Sequence, residues 1–270
     1  MTIFQAVVLG ILQGLAEFLP ISSSGHLILV PWLAGWPSHG LIFDLALHLG
    51  TSAALLGYFW RDWLILARAV LAGLTNATAR KADDWRMAWL IVIGCVPAAV
   101  VGVLFEDFIE ATVRQPSLIA LFLMVFGLLM LIADRVGRRD RTLDQITLID
   151  AVVIGCAQVL SLAPGVSRSG ITMTAGLFRG LDRPAAARYS FLLSAPITLA
   201  AALFKLRVLL IHPLSGSEAI VFLVGIATAA IVGALAIGFL MRYIQRQSLD
   251  VFVWWRLVFG SFVLTWAMLG

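Results

Sequence analysis

Apolar residues fill six stretches of about 20 positions, 41–60, 86–105, 117–134, 185–204, 218–241 and 250–269, and a helix of that length crosses a hydrocarbon core of roughly 30 Å. Two further segments, 3–33 and 149–178, are apolar at both ends but broken in the middle by Pro, Gly and Ser. Irregular backbone at membrane depth survives only where it lines a cavity inside the protein. Each broken segment is therefore predicted as a pair of half-helices that enters and leaves on one side. The expected fold is all-α and polytopic: one integral membrane domain over residues 1–270, with six transmembrane helices and two re-entrant helix-loop-helix segments.

The broken segments are copies of one another. AVVLGILQGLAEFLPISSSG, from Ala6 to Gly25, returns as AVVIGCAQVLSLAPGVSRSG, from Ala151 to Gly170. Gly10 matches Gly155, Gln13 matches Gln158, Ser22 matches Ser167, Ser24 matches Ser169, and Gly25 matches Gly170. The differences are chemical: Glu17 faces Leu162, Ser23 faces Arg168, and His26 faces Ile171. One copy offers a carboxylate and an imidazole, the other a guanidinium, so the halves 1–145 and 146–270 are expected to build one composite site. Three spans separate the copies, which makes the repeats inverted in topology, and matched interruptions in two halves point to a central binding site.

Composition agrees with a bilayer. The chain is 61% hydrophobic and 13% charged, against about 25% charged in soluble proteins. Of the 19 Lys and Arg residues, the re-entrant arrangement collects 14 on one side and leaves Arg114, Lys205 and Arg207 on the other, with Arg168 and Arg256 inside the membrane. If each broken segment crossed once, the split would be 11 to 6, so the positive-inside rule favours re-entry and puts both termini outside. Trp60, Trp85 and Trp254 stand at span ends, where aromatic belts form. The basic loops, despite a pI of 9.6, read as orientation signals, and no nucleic-acid partner is expected. Cys95 and Cys156 lie in apolar segments as small hydrophobes, without a disulfide or zinc framework. The N-terminus shows no removable signal peptide.

Several residue groups carry candidate chemistry. Gln13 and Glu17 share a helix face, and an ionisable side chain at membrane depth marks a functional site by default. Ser22, Ser23, Ser24 and Gly25 precede His26 at the expected start of a short helix, where unpaired N–H groups bind anions. Hydroxyl, imidazole and carboxylate together form a possible acid, base and nucleophile set. In Pro164-Gly165-Val166-Ser167-Arg168-Ser169-Gly170-Ile171-Thr172 the guanidinium suits a phosphate; the bland alternative is a structural ion pair with Glu17. Asp44 and His48 share a face of the first span, equally as an interfacial pair or as support for the site. Gly10 and Gly14 permit close helix packing.

Gln13-x-x-x-Glu17, the SSSGH run ending at His26, and PGVSRSGIT from Pro164 to Thr172 resemble the signature motifs of the bacterial undecaprenyl-diphosphate phosphatases, also called bacitracin-resistance proteins. The likeness covers the whole chain in length, span pattern and motif order. It implies an inner-membrane hydrolase that converts undecaprenyl diphosphate to the monophosphate, returning the carrier for peptidoglycan synthesis. It also implies an inverted-repeat fold, a site opening outward to the periplasm, and dependence on a divalent cation. The family's acidic residue falls on Glu17, its serine on Ser23, its histidine on His26 and its arginine on Arg168. Ser22, Ser24, Gly25, Ser167, Ser169, Gly170 and Thr172 are expected around the phosphates, and Glu17 and Gln13 on the cation, Mg²⁺ or Ca²⁺. Whether Ser23, His26 or water attacks stays open at this level, as does a homodimer. The rivals are a lipid or anion transporter of inverted-repeat design, which needs no nucleophile, and an acid-phosphatase-type lipid phosphatase, whose histidine after the SR motif has no counterpart between Ile171 and Leu181.

Overall fold

The computed structural model describes residues 1–37, 40–211 and 216–269, with the side chains of 41, 106–112, 202–211 and 217 outside that description. Lys205 and Arg207 of the charge count therefore lie outside the described side chains. Among the described residues are eleven α-helices: α1 (Ile3–Phe18), α2 (Ser23–Ala34), α3 (Gly40–Tyr58), α4 (Trp60–Thr75), α5 (Asp83–Thr112), α6 (Pro116–Val136), α7 (Leu148–Val159), α8 (Arg168–Phe178), α9 (Arg183–Ile211), α10 (Gly216–Tyr243) and α11 (Asp250–Leu269). No named strand occurs among the described residues.

The helix ends follow the sequence. A capping box between Thr2 and Gln5 starts α1, and Pro20 stops it, since the residue before a proline is pushed out of the helical region. Thr147 and Asp150 form the same box at α7. Gly35, left-handed at φ 63°, closes α2. Both copies of the repeat thus fold as a helix, a break and a short serine-capped helix.

Among the described residues four helical stretches are long and apolar enough to cross a membrane: Asp83–Phe105, Pro116–Val136, Glu218–Tyr243 and Asp250–Leu269. A fifth counts if α3 and α4, bent by 76° across Phe59, form one span. The apolar run 41–60 is α3 alone; α4 is a separate amphipathic helix, with Asp62 in its first turn and only Leu66 and Gly73 buried. Many large apolar side chains face outward, with Val103 79%, Leu235 68% and Val258 66% exposed. Such a surface is stable against lipid and not against water, so the chain is a multi-pass membrane protein.

The repeat helices seat themselves through their glycines. A Cβ on Gly10 would fall 2.8 Å from Cβ of Thr228, and one on Gly14 2.8 Å from the backbone N of Gly233, so α1 lies directly on α10. A Cβ on Gly155, the copy of Gly10, would stand 2.4 Å from the carbonyl oxygen of Gly94, so α7 lies as closely on α5. Backbone contact of this kind needs small residues on the shared face.

Several arginines of the basic loops do more than orient the chain. Asp134, buried on α6, accepts hydrogen bonds from Nε and a terminal nitrogen of Arg183 at 2.6 and 3.0 Å and from the backbone N–H of Leu249 at 3.0 Å. Asp150, fully buried, accepts from Arg141 at 2.5 Å and Arg179 at 2.7 Å. That bond, with burial opposing it, holds the Arg141 guanidinium above its ordinary range. These ties fasten α6, α7, α8, α9 and α11 to one another at a common end.

Candidate active site

The two serine-capped breaks meet face to face. Ser22 and Ser167 both have positive φ, 76° and 74°, a region that residues with a Cβ seldom enter and that clusters at functional sites. Each turns its hydroxyl back to cap its own helix: Ser22 Oγ accepts from Gly25 N–H at 3.4 Å, and Ser167 Oγ from Gly170 N–H at 3.1 Å. Ser22 Oγ also accepts from Gly165 N–H at 3.1 Å, and Ser169 Oγ donates to the Leu19 carbonyl at 3.3 Å. The loops are thereby stitched in both directions. A Cβ on Gly25 would crowd its own cap, Ser22 Oγ, at 3.3 Å and touch the Gly165 backbone at 3.4 Å. Gly165, at φ 98°, has no room for a Cβ, which would lie 2.5 Å from the Ile119 carbonyl oxygen.

Four side chains converge where the breaks meet. Glu17, 8% exposed, contacts the Arg168 guanidinium through Oε1. Its Oε2 accepts from the Ser23 hydroxyl at 2.5 Å and from Gln13 Nε2 at 3.2 Å. The same Gln13 nitrogen reaches Thr51 Oγ1 on α3 at 3.3 Å. His48 Nε2 stands 3.9 Å from Glu17 Oε2. A carboxylate from α1, a hydroxyl from α2 and a guanidinium from α8 thus share one place, the juxtaposition expected from the aligned copies.

Other expected residues are placed differently. His26 is 2% exposed and packs against Phe259 and Trp255. Its Nδ1 lies 2.8 Å from the Ser22 carbonyl, and its Nε2 accepts from Trp255 Nε1–H at 3.0 Å. Both ring nitrogens are engaged, and no described contact joins His26 to Glu17, Ser23 or Arg168. Thr172 spends its hydroxyl on the Arg168 carbonyl at 2.7 Å and on Ser190 at 2.6 Å. Ser24 lies partly exposed in the first turn of α2. First-turn N–H groups have no intrahelical partner, and among the described residues no hydrogen bond engages the backbone N–H of Ser23, Ser24, Arg168 or Ser169, at the N-termini of α2 and α8.

Arg256 is the residue that sequence reasoning passed over. Fully buried on α11, it donates to the carbonyls of Leu123 at 2.9 Å, Pro20 at 3.2 Å, and Gly165 and Val166 at 3.0 Å each. One guanidinium brackets both breaks from behind. The available signal was an arginine inside an apolar span, which is costly and so marks a purpose. Gln158, the copy of Gln13, is buried with neither side-chain amide atom partnered among the described residues, and Leu162 stands where the first copy has Glu17.

Comparison with known proteins supplies the family. A model of the bacitracin resistance protein BacA family matches residues 6–262. The chain is 49% identical to the undecaprenyl-diphosphatase of Moorella thermoacetica over 98% of this chain and 97% of that protein. It is 50% identical to that of Geotalea daltonii over the full length of both, and 51% identical to that of Geobacter metallireducens over 96% of each. On this match, spanning nearly the whole length, the chain belongs to the BacA bacitracin resistance family.

Proposed function

We propose that this protein hydrolyses undecaprenyl diphosphate to undecaprenyl phosphate and inorganic phosphate, recycling the lipid carrier of cell-wall synthesis and thereby resisting bacitracin. The relatives' names support the activity. The single observation that carries the chemistry is the Ser23 hydroxyl donating to Glu17 at 2.5 Å while Arg168 holds the other carboxylate oxygen.

Phosphoryl transfer asks for position and charge stabilisation more than for covalent help. In the resting site Arg168 is paired with Glu17. The terminal phosphate of the substrate competes for the Arg168 fork, which binds a phosphate through two parallel hydrogen bonds, and the free amides of Ser23, Ser24, Arg168 and Ser169 take further oxygens. Ser23 Oγ then attacks the terminal phosphorus and gives its proton to Glu17. The bond from that phosphorus to the bridging oxygen breaks, and undecaprenyl phosphate leaves. Water next attacks the phosphoserine, and Ser23 recovers a proton as inorganic phosphate departs. In this assignment His26 positions the α2 loop through Ser22 and takes no proton.

A divalent cation, Mg²⁺ or Ca²⁺, fits the donor set in one respect: Gln13, hydrogen-bonded to Glu17, has its buried Oε1 without a partner among the described residues. Glu17 and Gln13 would hold it, and its chemistry there would be neutralisation of the diphosphate charge. The membrane arrangement proposed with this function has α1–α2 and α7–α8 re-entrant, six spans, both termini outside, and the site opening to the periplasmic face of the inner membrane.

Brief incubation of the purified protein with labelled prenyl diphosphate, followed by denaturing quench, should trap a phosphoserine that Ser23→Ala abolishes. Inversion at phosphorus on a chiral thiophosphate substrate would instead show direct attack by water and remove Ser23 as nucleophile.

A further inference from the structure

We infer that His48 is a ligand of the divalent cation at the Glu17 site and tilts that site toward ions such as Mn²⁺; the inference rests on the cation reading given above. His48 projects from α3, one turn before Thr51, and its side chain is 31% exposed where that of Glu17 is 6%. Of the two side chains His48 is thus the more accessible. Its Nδ1 lies 2.8 Å from the Asp44 carbonyl oxygen. A ring nitrogen facing a carbonyl carries the proton, so Nε2 keeps its lone pair, the arrangement that orients metal-binding histidines.

Among the described residues that lone pair has no hydrogen-bond donor. The 3.9 Å from His48 Nε2 to Glu17 Oε2 exceeds a hydrogen bond. It falls within the span of two atoms that share one ion, each about 2.0–2.3 Å away. Gln13 Oε1 adds a buried acceptor without a partner among the described residues. A half-turn of the Gln13 amide exchanges its nitrogen for this oxygen and sets two acceptors, Gln13 Oε1 and Glu17 Oε2, against each other, which a cation between them would stabilise. Among the described residues no group of three His, Cys, Asp or Glu side chains is placed to hold a metal. The protein face is therefore two such side chains and an amide, with the remaining positions left to diphosphate oxygens and water.

The nitrogen changes which ion is preferred. Carboxylate, amide and phosphate oxygens suit Mg²⁺ and Ca²⁺, whereas an imidazole favours borderline ions of the first transition row. His26 does not supply this nitrogen, because Trp255 and Ser22 occupy both of its own.

Mn²⁺ tests the assignment directly. The full-length protein in lipid nanodiscs is titrated with Mn²⁺, bound ion being read from loss of the free-ion electron paramagnetic resonance signal, and the bound state is examined by electron spin-echo envelope modulation. The expected result is one Mn²⁺ whose binding Glu17→Gln weakens and whose spectrum shows nitrogen modulation that shifts on ¹⁵N-histidine labelling. His48→Gln should remove that modulation and weaken binding at least about tenfold, the lower end of what losing even an outer-shell partner costs. A Glu17-dependent Mn²⁺ with no histidine modulation in the unmutated protein overturns the role of His48 and leaves the Glu17 cation site standing. Modulation that survives in His48→Gln does the same. No Glu17-dependent Mn²⁺ binding at all overturns the cation reading and this inference with it.

Discussion

At the scale of single residues the site is asymmetric by substitution within a symmetric frame. The frame is the shared part: Ser22 and Ser167 cap, Gly25 and Gly170 allow approach, and Gln13 and Gln158 are buried at matching positions of α1 and α7. The chemistry is the unshared part, Glu17 and Ser23 from one copy and Arg168 from the other. Arg168 is expected to act through its planar fork. Arg168→Lys keeps the charge and loses the paired donors, so turnover should fall by about 10²-fold or more, the cost of removing one preorganised donor, while insertion and folding persist. Near-normal phosphate release would refute the clamp. The meeting of Glu17, Ser23 and Arg168 was legible because aligning the copies sets Ser23 opposite Arg168. The surroundings of His26 and the bracket formed by Arg256 were not legible. Both depend on which way a side chain turns into a helix packed from more than 200 residues away, and neither Trp255 nor the Pro20 carbonyl is marked in the sequence as its partner.

At the scale of elements, helix existence followed from apolar length, and helix ends from capping residues and proline. The predicted span 41–60 matched α3, but helix α4 and the bend of 76° at Phe59 were not legible, because Arg61 and Asp62 mark where the apolar run stops without setting the direction in which the chain continues. The basic loops were legible as charge but not as fasteners. Asp134 shows the difference. It is buried at the α6 end with a bidentate Arg183, and removing one partner of a buried pair typically costs about 3–5 kcal/mol. Arg183→Met should therefore lower the unfolding midpoint of the purified protein markedly. Arg138→Met, which cuts an ion pair to Asp140 from an 83% exposed side chain, should lower it little, since surface pairs are worth about 0–1 kcal/mol. Equal shifts in the two variants would show that the Asp134 tie does not hold the helix ends.

At the scale of the whole molecule the question is which face each loop meets. In the membrane arrangement proposed above, the 14 to 3 split of basic side chains predicts the 137–147 loop and the segment before α11 inside, and the segment between α9 and α10 outside. Ser215 lies outside the described residues, but Gly216 opens α10 with space around it for a Cβ and carries a probe equally well. Cys95 and the exposed Cys156 are first replaced by serine. Single cysteines are then placed at Gly216, at Arg139 and at the exposed Gln247. In intact cells an impermeant thiol reagent should label Gly216→Cys, and should reach Arg139→Cys and Gln247→Cys only after permeabilisation. The pattern discriminates because parity decides it. With both breaks re-entrant, three spans separate 139 from the exterior N-terminus and two more separate 139 from 247, putting both inside. If the breaks were spans, the segment after α8 would flip, so Gln247 would label in intact cells and Gly216 would not. That outcome would remove the inverted arrangement, and with it the reason for the two loop tips to meet from opposite faces around Glu17 and Arg168.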